Sequence, residues 1–134
     1  MNDIQEFVRH GSEKITPADI ALFEEELPLV LARITEANPP RQPHLREQAR
    51  FLVRFVEDCL DGTYTPDDVG ALAEALFGLM YLHKGTDIIP DTVPDIGFAD
   101  DSAVIRTVLV GHPSEFQRYG ESSGLDYGAL SFEA

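Results

Sequence analysis

A chain of 134 residues has room for one domain, and with 43% hydrophobic residues it can bury a core. A formal net charge of −14 repels phosphate backbones and anionic bilayer surfaces, which argues against nucleic-acid or membrane-surface binding unless a local basic patch overrides the field. Cys59, the single cysteine, excludes an internal disulfide and favours a reducing compartment or simple indifference to redox.

The opening "MNDIQEFVRHG" has an early acid and no apolar run, unlike a signal peptide, and "DIQEFVRH" fits a short first helix. From Thr16, "TPADIALFEEELPLVLARITEA" carries a helix start: Thr16 as N-cap, Pro17 at the first helical position and Asp19 three residues after the cap. Ile20, Phe23, Leu27, Val30, Leu31 and Ile34 then fall on one apolar face, while Pro28 should kink or split the run. "NPPRQP" at 38–43 is a breaker. A helix from about His44 to Leu60 follows, with Leu45, Ala49, Leu52, Val53, Val56 and Leu60 on one side. The start signature recurs at "TPDDVGALAEALFGLMYLHKG", with Thr65 as cap and Asp67 and Asp68 in the first turn. That helix closes on His83, Lys84 and Gly85, where the dipole favours cations and the C-cap favours glycine. Its apolar run, residues 75–83, is far below the about 20 residues of a membrane span, so no transmembrane segment is expected.

After an acidic stretch, "SAVIRTVLVG" predicts a helix that ends before Pro113, "PSEFQRYGE" a short helical turn, and the Gly/Ser-rich tail from about residue 122 a loose end. No strand alternation or internal repeat is present. The expected architecture is one all-α domain over 1–134, a bundle of four to six helices with a Pro/Asp-rich connector inside a helical hairpin.

That connector, "GTDIIPDTVPDIGFADD", is the sharpest feature. Asp87, Asp91 and Asp95 are four apart, but Pro90 and Pro94 forbid a helix and push Ile89 and Val93 into extended conformations. The segment reads as two Pro-Asp turns and a bend at Gly97, entering the next helix with Asp100 and Asp101 at its N-terminus. Two unit charges about 6 Å apart repel by roughly 3 kcal/mol at an effective dielectric of 20. Converging aspartates therefore need helix N–H groups, cations such as Lys84 and Arg106, or a hard divalent ion such as Mg²⁺ or Ca²⁺. Turn-forming and capping aspartates are the plainest account. The EF-hand spacing is absent, and a DDxxD pattern from Asp100 fails at Val104.

"YLHKGTDIIPDTVPDIGFADDSAVI" resembles the motif of the YkvA-like family, a bacterial domain of unknown function. Tyr81, Asp87, Pro90, Asp91, Pro94, Gly97, Asp100 and Asp101 match in register, over about residues 75–110. Gly85 stands where the family more often has proline, and Asp95 where it tends to be apolar. The shared carboxylates are therefore Asp87, Asp91, Asp100 and Asp101. The resemblance implies a stereotyped helical hairpin and brings no established activity.

Arg46, Arg50 and Arg54 line one helix face and call for acidic neighbours: Glu24, Glu25 and Glu26, the connector, or a partner. Cys59 reads as a packed thiol, Tyr81 as a packed ring whose hydroxyl meets a connector group, His83 as a helix-end cation and His112 as a pre-proline break. No nucleophile elbow or phosphate-binding glycine loop is present. Two functions are consistent with this. The first is a non-enzymatic structural or protein-interaction module, with no cofactor, whose partner is another protein or a second copy. The other is a divalent-metal protein, conceivably a hydrolase, with Asp87, Asp91, Asp100 and Asp101 as ligands and His83 as an optional fifth.

Overall fold

The computed structural model describes residues 3–84 and 99–134, and all regular structure there is helical. In chain order the helices are α1 (Asp3–Glu13), α2 (Pro17–Glu24), α3 (Leu27–Ala37), α4 (Leu45–Leu60), α5 (Val69–Lys84), α6 (Ala99–Gly111) and α7 (Pro113–Ser123), followed by a 3₁₀ turn at Tyr127–Ala129. The expected all-α bundle is borne out. The predicted split near Pro28, which ends α2 at Glu24 and starts α3 at Leu27, brings the described helices to seven.

Local chemistry sets several boundaries. Thr16 Oγ1 accepts from the Asp19 N–H at 3.1 Å while Asp19 Oδ2 accepts from the Thr16 N–H at 3.0 Å, closing a reciprocal capping box. Asn38 ends α3 with φ of 40°, a left-handed cap that Asn tolerates.

Helix α4 runs through the middle and buries Leu45, Ala49, Phe51, Leu52, Val53, Phe55 and Val56. Each such side chain withdrawn from water contributes about 1.5–3 kcal/mol, which outweighs the helix's polar opposite face. α6 packs closely on α5: a Cβ on Gly78 would sit 3.4 Å from Ile105 Cδ1 and Val108 Cγ2. The hairpin's two helices are thus in direct contact, although residues 85–98 between them lie outside the description.

Three expectations need correction. Thr65 does not cap α5, which begins at Val69 with the Asp68 carboxylate accepting from the Gly70 N–H at 2.9 Å. The cause is non-local: Glu115 Oε1 takes the Asp68 N–H at 2.7 Å and Arg118 donates to the Thr65 carbonyl at 2.9 Å, holding residues 65–68 out of the helix. Nor is the tail loose. Tyr127 is buried and donates to the Leu109 carbonyl at 2.7 Å, and the wholly buried Gln48 donates to the carbonyls of Ser131 and Glu133. A Cβ on Gly120 would lie 2.5 Å from the Leu125 carbonyl oxygen, so glycine permits the tail to fold back against α7. α7 itself is an eleven-residue helix rather than a short turn.

Candidate functional site

Of the motif residues, Asp87, Pro90, Asp91, Pro94 and Gly97 lie outside the described residues, as does Asp95. Tyr81 is buried on α5, its ring 5.5 Å from Phe7 in an edge-to-face contact. Asp100 and Asp101 share the first turn of α6, with Asp101 fully buried. His83 Nε2 lies 2.9 Å from Glu26 Oε2, and its ring meets Phe23 edge-on at 6.0 Å. Among the described residues no cluster of three His, Cys, Asp or Glu side chains could hold a metal ion.

The arginine stripe stays largely on the surface. Arg46 and Arg50 are exposed, Arg46 reaching only Glu47 at 3.7 Å, while Arg54 is half-buried on the side of Tyr119. Cys59 is packed, as expected. Burial, then the charges of Glu115, Asp58 and Asp61, push its thiol up to about 12. It is held in the unreactive protonated form.

Sequence reasoning did not anticipate a polar knot where α5, α6 and α7 meet. The buried Glu115 carboxylate accepts from the Tyr64 hydroxyl and the Asp68 N–H and faces Arg118 at 3.4 Å. Burial alone would raise its carboxyl, but those hydrogen bonds and the guanidinium charge hold it below the ordinary glutamate value. His112 stands beside it with Nδ1 2.8 Å from Asp68 Oδ2 and Nε2 3.1 Å from Glu74 Oε1. The knot borders a cavity of about 340 Å³ that includes Asp67, Ser114 and Arg118. No spacing in the sequence joins Asp68 to Glu115, 47 residues on.

A larger feature is lined by other residues. α1, α2 and α5 enclose a groove of about 830 Å³, with Phe23, Phe77, Met80 and Tyr81 along it and Phe7 and Leu22 on its walls. α1 approaches α5 closely at Gly11, where a Cβ would fall 2.1 Å from Phe77 Cε1. Phe7 is 47% exposed and Leu22 71%, although Phe7 already stacks edge-on against Phe77 at 5.3 Å. His10 on α1, Lys14 just after it, Asp19 on α2 and Glu26 between α2 and α3 also line it. Its volume lies within the about 300–1,000 Å³ range of small-molecule pockets. The one available signal was an apolar position left over: Leu22 falls off the face shared by Ile20, Phe23 and Leu27.

A family model described as a protein of unknown function (DUF1232) matches residues 71–106, from α5 through the aspartate stretch into α6. No curated protein and no solved structure matches the chain. The matched segment contributes Phe77, Met80 and Tyr81 to the groove and Asp100 and Asp101 to the α6 N-terminus.

Proposed function

We propose that this chain is a YkvA-like cytoplasmic module without catalytic activity, and that it works by docking a partner into the α1/α2/α5 groove. The observation that carries the reading is the pairing of an apolar groove of about 830 Å³ with two large apolar side chains, Phe7 and Leu22, left in water on its walls. Contiguous exposed apolar surface of this kind marks interaction sites, whereas scattered exposed residues do not. On this reading the aspartate connector serves the architecture rather than chemistry, and α5, which precedes it, supplies Phe77, Met80 and Tyr81 to the groove.

Site-specific photocrosslinking in cells tests it. A benzoylphenylalanine at position 7 should give a discrete adduct, and one at Val69 should not. Val69 is 74% exposed, more than Phe7, but lies away from the groove, so exposure alone would favour the wrong position. Equal labelling from both positions, or none from position 7, overturns the reading.

A further inference from the structure

We infer that the seat of residues 131–134 is a binding site for a polypeptide segment read through its main chain, and that the tail occupies it as a displaceable strap. Gln48 carries the inference. It stands on the buried face of α4 between Leu45 and Leu52, where the spacing calls for an apolar side chain, and it is wholly buried. A buried amide is costly unless both of its ends are bonded. Its visible task is the tail: Nε2 donates to the Ser131 carbonyl at 2.7 Å and to the Glu133 carbonyl at 2.9 Å. One turn earlier the His44 N–H, at the N-terminus of α4, donates to the Ala134 carbonyl at 3.1 Å. The strap is thus held by its carbonyls, while Phe132 and Glu133 stay exposed. A grip on main-chain groups does not depend on which side chains the segment carries.

The tail leaves this seat incomplete. Gln48 Oε1 is buried and has no hydrogen-bond partner among the described residues. The opposite orientation of the amide would set an oxygen against two carbonyls, so the partners themselves fix which end is which. The N–H of Glu133, on a residue whose carbonyl Gln48 already holds, is taken by Ser131 Oγ at 3.2 Å. A buried acceptor left unbonded costs more than the bond itself would contribute. A segment with no hydroxyl at the Ser131 position keeps that N–H for Oε1 and so binds better than the tail. Release is local. Residues 130–134 have no regular structure, and behind them Tyr127 is buried and anchored on the Leu109 carbonyl. None of these residues lines the α1/α2/α5 groove, so the site is a second one.

Nuclear magnetic resonance on the full chain tests this, with the Gln48 side-chain amide and the His44 N–H as reporters. The probes are two free peptides with the sequence of residues 130–134, one native and one carrying Ser131→Ala. The tethered tail competes at a millimolar effective concentration, so displacement is expected at millimolar peptide. The Ser131→Ala peptide should displace the tail at a concentration about tenfold lower than the native one. Placed in the chain itself, Ser131→Ala should slow exchange of the His44 N–H about tenfold and leave that of Val53, in the middle of α4, unchanged. Gln48→Leu puts an apolar group of similar size in the buried position; it should stay folded and lose the response to both peptides. No displacement by either peptide at about 10 mM overturns the inference. So do equal midpoints for the two peptides, unchanged or faster His44 exchange in the Ser131→Ala chain, or peptide binding that survives Gln48→Leu. Should Gln48→Leu fail to fold, the two peptides and the Ser131→Ala chain decide by themselves.

Discussion

His112 Nδ1 lies 2.8 Å from Asp68 Oδ2, and this contact fastens the α6–α7 junction to the start of α5. Asp68 spends its other oxygen on the Gly70 N–H, so one carboxylate both caps a helix and receives the imidazole. Burial works against its ionisation, but the hydrogen bond and charge of His112 and the N–H groups of Gly70 and Ala71 hold its carboxyl below the ordinary value. On the other side of the ring, Nε2 meets Glu74 in the second turn of α5. His112→Ala removes both contacts from a largely buried position and should cost about 1–3 kcal/mol, read by urea unfolding. Asp68→Ala loses the cap as well. The double variant should lose less than the sum of the two, because the residues share one interaction. Additivity would show that they act separately.

Acid should weaken this knot. Glu115 and Asp68 both have carboxyls depressed in the folded chain, so each contributes stability that is present above its unfolded value, about 4. That contribution is lost as pH falls through the lower folded values. Stability should therefore be level between about pH 7 and 5 on account of these two groups and decline below about pH 4. Glu115→Gln should lower the plateau and flatten the acid limb. A variant with an acid limb as steep as the wild type would place the sensitivity elsewhere.

Cys59 offers a chemical check on packing. With its thiol pushed up to about 12, almost none is ionised at pH 8, whereas an unfolded cysteine near 8.5 is substantially so. Iodoacetamide should alkylate Cys59 in the native chain at least about a hundredfold more slowly than in urea. Comparable rates would mean that the half-buried site opens readily.

What could be read from the sequence was what neighbouring residues decide. Thr16 and Asp19 close a capping box across three residues, Pro28 divides its helix by lacking an N–H, and His112 leaves the helical region before Pro113. The same signature at Thr65 misled, because Glu115 and Arg118 claim the backbone there from a distant helix. The tail misled for a similar reason. Its Gly and Ser suggest freedom, but Gln48 and Leu109 take its polar groups and Gly120 makes room for it. The groove left one trace in one dimension, Leu22 off the apolar face of its helix, because Phe7, Leu22 and Met80 come from three helices that only the fold brings together. The aspartate motif was the reverse case, conspicuous in sequence, yet Asp87 and Asp91 fall outside the described residues.

The connector's role separates the two functions directly. If the aspartates serve the architecture, stripping the chain with EDTA and adding Mg²⁺, Ca²⁺, Mn²⁺ or Zn²⁺ in turn should leave the melting midpoint where it was. Asp101→Asn should lower that midpoint, because Asp101 is fully buried in the first turn of α6, where the helix dipole favours a negative charge. Asp91→Asn should also melt lower or unchanged, with no response to ions. A specific ion at about a hundred times its dissociation constant would instead add roughly 2.7 kcal/mol, a rise of several degrees for a chain of this size. Such a rise in the wild type, lost in both variants, would assign the aspartates to a metal and bring the hydrolase reading forward. A rise that survived both substitutions would place the ion away from the connector and leave its architectural role intact.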